Sequence, residues 1–131
     1  MTRVLFLCIH NAGRSQMALG FFEQLANGGA EALSAGSEPA DRLNPVAVAA
    51  MAEVGIDIAG YQPKRWNREQ LAETDIVVTM GCGDECPYVP GTRYIDWPIA
   101  DPAGQDIATV RNIRDDIERH VRELLSGNLV L

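Results

Sequence analysis

Cys8-Ile9-His10-Asn11-Ala12-Gly13-Arg14-Ser15 is the stretch that decides the fold. Before it, Val4-Leu5-Phe6-Leu7 is an unbroken apolar run of strand length, the pattern of a strand buried on both faces. After it, Ala18, Phe21, Phe22 and Leu25 recur at i, i+3, i+4 and i+7, which predicts a helix that stops at Asn27-Gly28-Gly29. A strand, a short polar loop and a helix in that order make an anion cradle, because loop amides and the positive end of the helix dipole converge on one point. Cys8 opens this loop and Arg14 follows six residues later. Arg14 is expected to fork two N–H bonds onto a tetrahedral oxyanion, with the Cys8 thiol below it and aimed at the central atom. The amides of Ile9, His10, Asn11, Ala12 and Gly13, the Arg14 guanidinium and the Ser15 hydroxyl would all stabilise a thiolate there. A cysteine that ends an apolar strand is, taken alone, more often a core residue. Gly13 and Arg14 in the same loop decide for an oxyanion-handling nucleophile.

The 131 residues suffice for one domain, residues 1–131, with a proper core. Eleven basic against eighteen acidic residues give a net charge of −7, which excludes nucleic acid and anionic membranes as partners. An anionic substrate must then be captured by local geometry. No apolar run has the length of a membrane span, and residues 4–9 are too short for a signal-peptide core, so the expected location is the cytoplasm. Three cysteines in that compartment point to catalysis or redox chemistry before a structural staple.

Residues 31–36 read as a second strand. Asn44-Pro45 opens a helix with a cap residue and a first-turn proline; Ala47, Ala50, Met51 and Val54 form its apolar face and Gly55 its stop. Asn67-Arg68-Glu69-Gln70 has the form of a capping box for a short helix. Residues 75–80 and 93–97 are the third and fourth strands, and residues 105–126 the longest helix. Ile107, Val110, Ile113, Ile117, Val121 and Leu124 are its buried stripe. Arg114/Glu118, Asp115/Arg119 and Glu118/Arg122 are expected to pair on its solvated face, with His120 a surface residue among them. This alternation predicts a parallel α/β sheet sandwiched by helices, with ligands bound beyond the carboxyl ends of the strands. The loops after the first, third and fourth strands then meet at one edge. They carry Cys8 to Arg14, Cys82 and Cys86, and Asp101.

Cys82 and Cys86 lie in Gly81-Cys82-Gly83-Asp84-Glu85-Cys86-Pro87. A structural zinc site wants four ligands, and one other cysteine and two histidines are all the chain adds, so no metal and no cofactor is expected. A local disulfide fits better. At i and i+4 it would distort a regular turn, and Gly81, Gly83 and Pro87 permit such rearrangement. Two unrelated loop cysteines are the alternative. Asp101-Pro102 is by itself a turn signal, but its expected place above Cys8 puts a carboxyl within reach of a leaving oxygen. His10 either tunes the thiolate or points to water.

Taken together, Cys8-x5-Arg14-Ser15-Gln16-Met17-Ala18, Ser34-Ala35-Gly36, Thr79-Met80-Gly81-Cys82 and Asp101-Pro102-Ala103-Gly104 resemble the thioredoxin-coupled arsenate reductases, which share the fold of low-molecular-weight protein tyrosine phosphatases. The resemblance covers nearly the whole chain and implies a four-stranded parallel sheet flanked by helices on both faces. It implies that Cys8 attacks arsenate held by the loop and Arg14 while Asp101 protonates the departing oxygen. It further implies that Cys82 resolves the adduct, that Cys86 moves the disulfide to Cys82–Cys86, and that a dithiol such as thioredoxin restores the enzyme. The chain departs from relatives at Gly13, where many carry another cysteine, and at Leu19, where some have a glutamate associated with potassium. The interval between Cys82 and Cys86 is also shorter than in some members. Glutaredoxin- or mycothiol-linked regeneration are the variants. A phosphatase of the same fold is the first rival, but arsenic(V) accepts two electrons from thiols and a phosphoryl group does not, so a pure phosphatase has no use for Cys82 and Cys86. A thiol-based sensor of arsenite or a soft metal would leave Asp101 and the oxyanion loop without purpose.

Overall fold

The computed structural model describes residues 2–81 and 88–127. Strand β1 (Arg3–Cys8) has β2 (Glu31–Gly36) on one side and β3 (Ile76–Thr79) on the other, and β4 (Arg93–Asp96) lies outside β3. All three pairings are parallel, in the order β2-β1-β3-β4. The strands alternate with α1 (Arg14–Ala26), α2 (Pro45–Glu53), α3 (Arg68–Ala72) and α4 (Ile107–Gly127). The expected parallel sheet with helices on both faces is the observed one.

The two faces are covered unequally. Side chains alternate along a strand, so Val4, Phe6, Cys8, Ile76 and Val78 enter one core with residues of α1, α2 and α4. Leu5, Leu7, Ala35 and Val77 enter a smaller one closed by Leu71 of α3, with Trp66 and Tyr94 packed against it. Phe6 anchors the larger core, its ring 5.7 Å from those of both Phe22 and Trp97. No helix among the described residues is long and apolar enough to cross a membrane.

The punctuation residues act as expected. Asn27, at φ 48°, supplies the left-handed end of α1. Asn44 and Asn67 cap α2 and α3 with side-chain oxygens that accept from Val46 N at 2.9 Å and Gln70 N at 2.8 Å. Val54 departs from the expected face: it follows the last helical residue of α2 and is 42% exposed, so the buried stripe ends at Met51.

Helix α4 buries its expected stripe from Val110 to Leu124, with Ile107 only partly covered, but its polar face differs from the expected one. Arg114 is 9% exposed and turns toward α2, where Nη1 donates to Ala50 O and Glu53 Oε1, each at 2.9 Å. It pairs with Asp115 and not with Glu118. Arg119 pairs with Asp116 in place of Asp115, while Glu118 and Arg122 pair as expected. His120 is largely covered, with Nδ1 on Asp116 O at 2.8 Å and its ring 5.1 Å from Trp97. The reason is spacing: Arg114 stands four after Val110 and three before Ile117, and His120 seven after Ile113 and four before Leu124. Both fall on the buried stripe, and position overrides residue type.

The ion pairs at this junction carry a pH signature. Hydrogen bonds from Arg111 Nε and Nη2, and one from Arg114 Nη1, hold the pKa of the Glu53 carboxyl at about 2, below its ordinary 4.5. A depressed carboxyl contributes stability above its unfolded value and loses it as pH falls through its folded one. Glu53→Gln is therefore expected to lower the thermal midpoint at neutral pH, with the gap to the native chain closing between pH 4.5 and about 2. Circular dichroism melts across that range check it; a gap independent of pH would remove the assignment.

Candidate active site

The loop after β1 is shaped by where its carbonyl groups go. Cys8 O, Ile9 O, His10 O and Ala12 O accept from the backbone amides of Ser37, Glu38, Ala40 and Asn44 at 3.4, 2.8, 2.9 and 2.9 Å. With these oxygens turned out toward residues 37–44, the amides on the same peptide planes turn inward. Gly36 permits the close passage, since a Cβ there would lie 2.5 Å from Ile9 O. Asn11 makes the sharp corner at φ 50°, a left-handed conformation asparagine tolerates. Helix α1 then begins at Gly13 with no side-chain cap, unlike α2 and α3. Its first-turn amides are left for an anion.

Cys8 Sγ sits inside this ring, 3% exposed, 3.3 Å from Asn11 N and 2.9 Å from Ser15 Oγ. Ser15 Oγ accepts from Asn11 Nδ2 at 2.6 Å, so its own proton is free for the sulfur. The Asn11 amide is oriented by Lys64 N, a pure donor 3.0 Å from Oδ1. Gln16 Nε2 braces Asn11 at both O and Oδ1, at 3.0 and 3.1 Å, and Ser34 Oγ holds Gln16 Oε1 at 3.0 Å. Asn11, Ser15, Gln16 and Ser34 are all fully buried. Taken residue by residue, the sequence assigns Gln16 and Ser34 no part in this. The available signal is polarity: Gln16 is a hydrogen-bonding residue in a helix that packs against the sheet, and Ser34 is one within a strand of that sheet.

Arg14 is 6% exposed, with Nη1 3.4 Å from Ile99 O and Nη2 3.7 Å from Asp101 Oδ2. Its other neighbour is Gly81, at φ 81°, where a Cβ would fall 2.4 Å from Nη1. Pro102 closes on the loop from above, and a Cβ on Gly13 would meet Pro102 Cγ at 2.7 Å. These contacts enclose a cavity of about 160 Å³ bordered by Cys8, Arg14, Asn44, Asp101 and Pro102. It opens beyond the carboxyl end of β1, where the strand order reverses between β1 and β3. The structure thus brings Cys8, the loop, Arg14 and Asp101 together. Cys82 and Cys86 lie outside the described residues; Gly81, next to Cys82, rests on Arg14. His10 lines the cavity, but its Nδ1 is engaged by Glu38 O at 3.1 Å and not by the sulfur. Leu19 is part of the larger core. Among the described residues, no three His, Cys, Asp or Glu side chains converge to hold a metal ion.

The profile of the low molecular weight phosphotyrosine protein phosphatases matches residues 3–129. The chain belongs to this family. Within it, a glutaredoxin arsenate reductase of Synechocystis is 36% identical over 129 residues, covering 96% of this chain and 98% of the relative. Arsenate reductase 1 of Staphylococcus epidermidis is 39% identical over 119 residues, covering 88% and 89%. Among solved structures, a thioredoxin-dependent arsenate reductase of Corynebacterium glutamicum superposes with a TM-score of 0.85 at 38% identity. The match covers 97% of this chain and 61% of that longer one.

Two substitutions test the site as described. Ser15→Ala removes the hydroxyl from Cys8 Sγ and is expected to slow iodoacetamide alkylation of Cys8 at neutral pH by roughly tenfold, the worth of one hydrogen bond to a charged group. An unchanged rate means the hydroxyl does not serve the sulfur. Gly81→Ala forces its Cβ against Arg14 and is expected to weaken protection of Cys8 by bound phosphate about tenfold or more. Undiminished protection would show that the guanidinium is not seated by residue 81.

Proposed function

We propose that this protein reduces arsenate to arsenite in the cytoplasm, with Cys8 as nucleophile, Cys82 and Cys86 as successive resolving thiols, and a dithiol protein as reductant. The observation that carries the reading is a single one: a cysteine sulfur at the floor of an oxyanion-sized cavity, with Arg14 and Asp101 ranged over it. Among the described residues, no Phe, Tyr or Trp borders that cavity, which suits a free tetrahedral ion better than an aryl ester. Relatives more than a third identical bear the name arsenate reductase.

The Cys8 thiolate attacks arsenic(V), forming a sulfur–arsenic bond, and one arsenate oxygen leaves as water with protons supplied through Asp101. Loop amides and Arg14 hold the remaining oxygens and their charge throughout. The Cys82 thiolate then attacks Cys8 Sγ. The electron pair of the sulfur–arsenic bond stays on arsenic, which departs as arsenite, and a Cys8–Cys82 disulfide remains. Cys86 displaces Cys8 from that disulfide, and a reductant dithiol takes the resulting Cys82–Cys86 bond, its own sulfurs being oxidised in turn. Thioredoxin is the first candidate for that role and glutaredoxin the second, since relatives of each kind exist. The thiol-reducing pool on which such a cycle depends belongs to the cytoplasm.

A phosphatase is the second reading, favoured by the family to which the chain belongs. It uses the same cradle, with water hydrolysing a phosphocysteine on Cys8. Purified protein is expected to reduce arsenate with thioredoxin, thioredoxin reductase and NADPH. Cys82→Ser and Cys86→Ser should abolish multiple turnover, and Asp101→Asn should lower kcat about a hundredfold, the usual worth of a general acid. If both cysteine variants turn over arsenate normally, the relay fails. Hydrolysis of p-nitrophenyl phosphate without arsenate turnover would instead establish the phosphatase.

A further inference from the structure

Asp101 is oddly tethered for a residue that must deliver a proton within hydrogen-bond reach. It is exposed, among the described residues its Oδ1 accepts only from its own turn at Ala103 N, 3.0 Å away, and Arg14 stands 3.7 Å from its Oδ2. Its height above Cys8 is therefore set through its own turn, whose next residue, Pro102, has its carbonyl oxygen on Gln105 N at 3.1 Å within the turn and on Asn44 Nδ2 at 3.4 Å across to α2.

We propose that Asn44 is a positioning residue that locks the Asp101 turn to the oxyanion loop. Three pieces of the site meet on this one side chain and its backbone. Its N–H donates to Ala12 O of the loop at 2.9 Å. Its Oδ1 caps α2 by accepting from Val46 N at 2.9 Å and Ala47 N at 3.4 Å. Its Nδ2 donates to Pro102 O at 3.4 Å. The carboxamide cannot be turned over, because Val46 N and Ala47 N are donors and demand the oxygen. Nδ2 must therefore face Pro102. The Pro102 ring in turn lies against Gly13, so tight that a Cβ there would be 2.7 Å from Cγ. These contacts tie loop, helix start and acid-bearing turn to one another, and a displacement of about 1 Å at a reacting site is costly. The inference rests on the oxyanion reading of this cavity.

Asn44→Ser and Asn44→Asp separate this role from capping, since serine and aspartate both cap helices well. Serine cannot reach Pro102 O; aspartate replaces the donor with an acceptor and adds charge to an anion site. Both variants should keep the melting temperature of the native chain. Asn44→Ser should lower kcat for arsenate roughly tenfold with KM changed less than about twofold, because ground-state binding is left in place. Phosphate should still protect its Cys8 from iodoacetamide as in the native chain. Asn44→Asp should lose that protection. The deciding measurement is the cycle with Asp101→Asn: Asn44→Ser/Asp101→Asn should be no slower than Asp101→Asn alone, because a residue that acts through Asp101 has nothing left to position. Additive losses overturn the proposal, as does loss of phosphate protection in Asn44→Ser, which would place Asn44 in service of the loop itself. Absence of arsenate turnover in the native chain overturns the reductase reading instead. The same cycle on p-nitrophenyl phosphate then decides for Asn44, since Asp101 is the acid in either chemistry.

Discussion

The site depends on the direction in which a few peptide groups point. Four carbonyl oxygens of the loop after β1 are drawn outward by amides of residues 37–44, and that leaves the opposing N–H groups facing a common centre. Sheet pairing alone would not do this, because β1 ends at Cys8 and the ladder ends with it. The chain instead continues the pairing in an irregular form beyond β2, with Gly36 sparing the space and Asn11 taking the corner. Preorganised donors of this kind need no rearrangement when charge arrives, which is where most electrostatic catalysis originates.

Around this ring the fold supplies supports that are themselves buried and satisfied. Ser34 on β2 holds Gln16 on α1, Gln16 holds Asn11, and Asn11 holds Ser15 against the nucleophile. A strand, a helix and the loop between them are thereby fixed to one another by side-chain bonds that have no solvent alternative. A half-satisfied network at this depth would be worse than an apolar core. Arg14 is handled in the same manner. A protein of net charge −7 buries this guanidinium with a carbonyl on one side, a carboxylate at longer range on the other and a glycine beneath it. Among the described residues, that leaves the cation only partly compensated and open to an anion.

Much of this was legible in the residues. An apolar run ending in Cys8, a glycine and an arginine at the right distances, and alternation of strand and helix were enough to place the cradle and its sheet. Caps announced themselves, since Asn44-Pro45 and Asn67 carry their chemistry locally. What escaped the reading was interaction across distance. Arg114 and His120 were assigned to solvent by type although their spacing put them on the buried stripe of α4. Gln16 and Ser34 carry no local pattern that announces a shared hydrogen bond between residues 18 apart in the chain. Asn44 could be read as a cap, but that its amide nitrogen also reaches Pro102, 58 residues on, is a property of the assembled molecule.

The bare start of α1 has a consequence for selectivity. Amides and a guanidinium register tetrahedral shape and negative charge, and in both respects phosphate is nearly the twin of arsenate. A cradle built this way will be occupied most of the time by whichever ion the cell holds in excess, and that ion is phosphate. Discrimination therefore cannot be made on entry. On the proposed relay it is made afterwards, at the moment when a second thiol removes the first from the central atom, because arsenic can accept the electron pair left behind and phosphorus cannot.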